Sequence, residues 1–122
     1  MSTFLVSPSS DTPWSLDPEA FALRLKARWP EIEVRELEDS LNALSFRVPV
    51  DGDYPPLGHL MSDGQAVTLE GGLAESAEVA AWMREIVEPE QELLFYDEGY
   101  SFDVPLRPGI TRDEIVAAVL AA

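Results

Sequence analysis

The chain has no cysteine, a single histidine and a single lysine in 122 residues. Each shortage removes a class of chemistry. Without thiols there are no disulfides, no thiolate metal sites and no cysteine nucleophile. That economy suits a reducing compartment, and a cytoplasmic location is the expectation. The lone imidazole, His59, lacks the second histidine or cysteine of a zinc site and the nucleophile motif of a triad. On the polar side of a hairpin, an ordinary surface histidine explains it. No stretch approaches the roughly eighteen apolar residues that a membrane helix needs. The start Met1-Ser2-Thr3-Phe4-Leu5-Val6 has neither a basic region nor a long apolar run, so no signal peptide is expected.

Positive charge is the other scarcity. Eight Lys and Arg face 23 Asp and Glu, a formal net charge of −15. The excess is unevenly placed. Up to Arg47 there are eight acids and five bases, whereas from Val48 onward there are fifteen acids and three arginines. The densest part is Glu85 to Asp103, with seven acids and no base. A field of that sign repels nucleic acid and anionic lipid and attracts basic protein surfaces. Generic solubility would explain the same composition.

What is present is the material of one globular domain. At 46% hydrophobic and 25% charged, the chain is folded in composition and long enough to bury a core without staples. Thr3–Ser7 alternates as a short strand. Asp17-Pro18-Glu19 opens a helix with an N-cap, a proline at the first helical position and an acid in the first turn. Phe21, Leu25 and Trp29 share one face of it, and Pro30 ends it. Ile32–Leu37 and Ala43–Val50 alternate as strands, the second with Leu44, Phe46, Val48 and Val50 on one side. Pro49 requires that strand to end there or lie at an edge.

Ser62-Asp63-Gly64-Gln65 is a hairpin signal, and a type I′ turn at Asp63-Gly64 sets Leu60 opposite Val67 and Gly58 opposite Leu69. Glu75–Val87 carries Val79, Trp82, Met83 and Ile86 at helical spacing, up to Pro89. The apolar run Leu93–Tyr96 predicts a central strand. Asp97-Glu98-Gly99 turns into the alternating Ser101–Leu106. Thr111 and Glu114 form a capping box, with Ile110 and Ile115 placed as a hydrophobic staple, opening a last helix.

The order is βαβββ–βαββα. It predicts a single α+β domain with three helices on one face of a mainly antiparallel sheet of six or seven strands. Ser45-Phe46-Arg47-Val48-Pro49-Val50 echoes Ser101-Phe102-Asp103-Val104-Pro105-Leu106, which suggests a degenerate βαββ duplication over residues 3–50 and 66–106.

No catalytic signature emerges, so a non-enzyme without a cofactor is the expectation. Asp51-Gly52-Asp53 opens like a calcium loop, but Pro55 and Ser62 stand where further oxygen ligands belong, and a plain turn remains. Gly71-Gly72 precedes a helix, yet no nucleotide motif accompanies it and Glu70 and Glu75 would repel a phosphate. Trp29 and Trp82 belong to helix core faces, while Trp14 lies in a loop.

The richest constellation joins Tyr96, Asp97, Glu98, Tyr100 and Asp103 across a presumed hairpin. Tyrosines supply rigid contact area and the acids would pair with Lys or Arg, so a basic protein is the partner expected there. A solvated turn is the plainer explanation. A divalent cation on the carboxylates is a third possibility, although no metal-ligand pattern is present.

The segments Phe95-Tyr96-Asp97-Glu98-Gly99-Tyr100-Ser101 and Asp103-Val104-Pro105-Leu106, with Phe4-Leu5-Val6-Ser7, Pro18-Glu19 and Arg28-Trp29-Pro30, resemble a group of small acidic uncharacterised actinobacterial-type proteins. That resemblance implies no activity. In size, acidity and element order the chain is also similar to bacterial immunity proteins, which would imply neutralisation of a toxin's basic surface. Two functional expectations follow. The first is a non-catalytic, acidic, cytoplasmic binding protein of immunity type. The alternative is a small-ligand-binding regulatory module with a cleft between two βαββ units.

Overall fold

A computed structural model describes residues 2–9, 13–38 and 41–122. Its elements follow the expected order: β1 (Ser2–Ser7), α1 (Pro18–Arg28), β2 (Glu33–Glu36), β3 (Asn42–Arg47), β4 (Leu57–Met61), β5 (Val67–Gly71), α2 (Leu73–Ile86), β6 (Leu94–Asp97), β7 (Asp103–Pro105) and α3 (Arg112–Ala121). The strands form one sheet in the order β2-β3-β4-β5-β1-β6-β7, and every neighbouring pair is antiparallel. This is an α+β single-domain fold.

Local chemistry accounts for the helix ends. The Asp17 side chain accepts the Ala20 N–H at 2.9 Å, with Pro18 in the first turn. The Thr111–Glu114 capping box is formed in both directions, and the staple residues Ile110 and Ile115 are both buried. At α2 the N-cap is Gly72, which has no side chain to accept a capping bond. Glu75 folds back against Gly72 instead and accepts the Tyr54 N–H at 2.7 Å, so a carboxylate already covers that helix start. Asp51–Tyr54 is the expected turn before β4.

Phe4 and Val6, Leu44 and Phe46, Val67 and Leu69, Leu60, Phe95 and Val104 alternate inward along their strands and meet the helices in one core. Phe21 of α1 packs edge-on against Phe46 with ring centroids 5.8 Å apart. Trp29 and Trp82 meet at 5.1 Å, also edge-on, so the two helix tryptophans are core residues. Trp14 is half-buried against the same core. Gly58 sits on the core side of β4 because the Phe46 ring occupies the place of a side chain, 2.2 Å from where a Cβ would stand.

The β4–β5 register is the expected one, Leu60 opposite Val67 and Gly58 opposite Leu69. The turn differs. Only Gly64 has a left-handed backbone there, at φ +71, while Asp63 does not. The connection is a four-residue loop in which the Gly64 N–H bonds the Met61 carbonyl at 2.9 Å and the Met61 N–H bonds Ala66 at 3.0 Å. Asp63 contributes its carboxylate to the Gln65 N–H rather than a second positive φ.

β3 stops at Arg47, two residues before Pro49, and Val48 and Val50 are buried beyond the strand. β7 contains Pro105 and lies at the sheet edge, where a missing N–H costs no ladder bond. The two echoed segments therefore differ in place, one between two strands and the other outermost. β6 lies between β1 and β7, second from the edge rather than central.

Candidate functional site

The β6–β7 connection brings the five singled-out residues together. Tyr96 stands opposite Asp103 in the ladder, and Asp97-Glu98-Gly99-Tyr100 form the turn. Two of its groups are spent on building the turn. The Tyr100 N–H bonds the Asp97 carbonyl at 3.1 Å, and the Asp97 carboxylate accepts both the N–H and the hydroxyl of Ser101. Those bonds, the Ser101 hydroxyl foremost, hold the Asp97 carboxyl below its ordinary value.

Tyr100 pays for the geometry in backbone strain. Its φ is +53, and no other non-glycine residue among those described has a positive φ. Its ring stacks on that of Tyr96, with centroids 4.8 Å apart and planes at 14°, yet the residue is 64% exposed. The neighbouring Tyr96 phenol, together with Asp103, raises its pKa. Tyr96 is anchored in turn by a 2.8 Å hydrogen bond between its hydroxyl and that of Ser7 on β1. Glu98 and Asp103 are exposed and, among the described residues, neither belongs to an ion pair. The tip thus displays two stacked phenols flanked by two free carboxylates. Among the described residues no group of three or more His, Asp or Glu is placed to share a metal ion.

Tyr96 and Asp103 also belong to a larger surface that strand alternation alone leaves hidden. The helices cover one face of the sheet, and the other face carries the alternate residues. Arg35 pairs with Ser45, Ser45 with His59 and His59 with Thr68. The same row continues from Thr68 through Leu5 and Tyr96 to Asp103. It crosses all seven strands, with an arginine at the β2 edge and an aspartate at the β7 edge. His59 is half-exposed between Ser45 and Thr68, over a depression of about 300 Å³ bounded by Arg35 and Arg47. Strand periodicity contained the signal for each face, but not the order that joins them into one row.

The larger clefts lie elsewhere. One of about 460 Å³ opens between the end of α1, one side of α2 and the start of α3, where Glu78 lies 3.3 Å from Arg112 and 4.0 Å from Arg28. Another of about 380 Å³ is floored by Leu93, Leu106 and the buried Arg84. Arg84 is the one Lys or Arg between Arg47 and Arg107, and its burial comes from the chain folding back over the end of α2, which helical spacing does not specify. No helix among the described residues is long and apolar enough to cross a membrane. Comparison with protein-family models, with curated proteins and with solved structures finds no match.

Proposed function

We propose that the chain is a non-catalytic binding protein that captures a basic protein partner, in the manner of an immunity protein, through the tip of the β6–β7 hairpin. One observation carries this reading: a strained backbone at Tyr100 holds a large aromatic ring in solvent, beside Glu98 and Asp103. Within the fold the Tyr96 stack does no more than offset that strain, so the exposed ring adds nothing to stability, and its remaining area is used when a partner covers it. Stacking on Tyr96 freezes the ring before contact, which lowers the entropy cost of binding. The free carboxylates draw in Lys and Arg and exclude acidic surfaces, so the partner's contact patch is cationic.

The test is capture at low salt, elution by salt, and identification of the eluted protein. Replacing Glu98 and Asp103 by lysine should abolish capture, and Tyr100→Gly should weaken it at every salt concentration. A partner retained equally by these variants and the parent chain would exclude the hairpin as the site. A metabolite that raises the melting temperature, with no protein captured, would favour the ligand-binding alternative.

A further inference from the structure

We propose that the open face of the sheet binds a second copy of the chain, in a two-fold dimer whose axis runs along the central strand β5. The sheet has seven strands, so β5 has three neighbours on each side: β4, β3 and β2 one way, β1, β6 and β7 the other. A two-fold axis parallel to β5 keeps residues at their level along the strands while exchanging the two sides. It therefore lays each half of the row over the other half of the second copy. Arg35 then meets Asp103, Ser45 meets the Tyr96 hydroxyl, His59 meets Leu5, and Thr68 meets Thr68.

The adjacent level repeats the pattern. Arg47 stands between Glu33 on β2 and Leu57 on β4, and on the far side the Glu98 N–H donates to the Thr3 carbonyl at 3.3 Å just beyond β6. Arg47 and Glu98 thus occupy matching places on either side of the axis. At the other end of the strands, Leu94 and Met61 supply apolar contact. An axis across the strands instead would superpose Arg35 on Arg35 and the acidic edge on itself. Charge selects the first arrangement, which also matches the aligned packing of two sheets.

Seven strands at about 4.8 Å spacing, each roughly 16 Å long, offer on the order of 500 Å² of projected face per copy. Two such faces reach about 1,000 Å², the low end of specific interfaces and the size of weak, transient contacts. Three features oppose association: Glu70 on β5 meets its own copy near the axis, Glu33 beside Arg47 comes near the second copy's Glu98, and each copy carries a net charge of −15. Because the pairs Arg35–Asp103 and Arg47–Glu98 use the same acidic end as the hairpin tip, the dimer and a basic partner exclude one another. Self-association would hold the tip covered until such a partner displaces it. The dimer does not depend on that partner's existence.

Sedimentation velocity over a wide protein concentration range, up to millimolar and at low and moderate salt, decides the question. The parent chain should shift from monomer to dimer as its concentration rises, and more readily at moderate salt, where the repulsion between two copies of charge −15 is screened. Arg35→Glu with Arg47→Glu, and separately Glu98→Arg with Asp103→Arg, should each give a monomer. An equimolar mixture of the two variants should dimerise, because each reversed edge then meets its complement. Glu70→Gln should tighten the parent dimer several-fold, and this readout holds even if a double variant does not fold. A parent chain that stays monomeric, folded reversed variants that do not pair on mixing, or a Glu70→Gln variant of unchanged affinity would each overturn the dimer.

Discussion

Arg84 is 3% exposed and has no carboxylate within ion-pair distance among the described residues. It lies in the last turn of α2 and donates to four carbonyls: Val87 and Glu88 just past the helix end, Gln91 in the following loop, and Leu106 after β7. The guanidinium is the bolt that joins the end of α2 to both flanks of the β6–β7 hairpin. Burial lowers its pKa, with Glu88 and Glu90 pulling the other way. Replacement by methionine keeps most of the volume and removes all the donors. The carbonyls of Gln91 and Glu88 can turn to water, but those of Val87 and Leu106 belong to buried residues. Each buried acceptor left dry costs about 1–3 kcal/mol, partly offset by no longer desolvating a cation. The expected net loss is about 3 kcal/mol. For 122 residues, an unfolding entropy of about 2.1 cal/mol/K per residue converts that into a fall of roughly 12 °C in Tm. Urea unfolding at neutral pH reads the change in midpoint, and Arg84→Lys should fall between parent and Met because it retains charge with fewer donors. A loss under about 1 kcal/mol for Arg84→Met would show that desolvation cancels the four bonds and refute the bolt.

Gly58→Ala should destabilise by about 2 kcal/mol in the same assay, because its methyl would stand 2.2 Å from the Phe46 ring, and Phe46→Leu should recover part of that loss. Tyr100→Gly should leave stability within about 0.5 kcal/mol of the parent, since roughly 1 kcal/mol of left-handed strain relieved offsets a stack of similar worth. A large loss on calorimetry would mean that the ring serves the fold rather than a partner. The Asp97 carboxyl, titrated by NMR, should ionise below the ordinary aspartate value, and Ser101→Ala should move it back up. A depressed carboxyl contributes stability that is present above its unfolded pKa and lost as pH falls through its folded value, so the hairpin should loosen only in acid. Hairpin amide shifts that respond first near neutral pH would contradict that assignment.

Much of the fold was legible because its causes are local. Asp17-Pro18 and Thr111–Glu114 act within one helical turn, and the alternation in Phe4–Val6 and Leu44–Phe46 states which side chains need burial. Even the β4–β5 register followed from loop length and apolar matching. The turn type did not, because Gly64 and Asp63 can divide the left-handed work in more than one way and the Met61–Ala66 closure chose one. The hairpin was recognisable as a concentration of acid and tyrosine. Its inner accounting was not: whether Asp97 faces Ser101 or a partner depends on a Tyr100 conformation that composition does not specify.

By itself the sequence determined the α+β class, the order of ten elements, the sides that must be buried and the classes of chemistry that lack residues. Those are consequences of periodicity, capping and composition, which act over a few residues. Only the tertiary structure decided the strand order β2-β3-β4-β5-β1-β6-β7. Long-range pairing set β1 between β5 and β6, and through it put Arg35 and Asp103 on one continuous face, 68 positions apart in the chain. The acidic excess and its few arginines were visible as numbers. Their arrangement as opposite ends of one surface exists only once seven strands are paired.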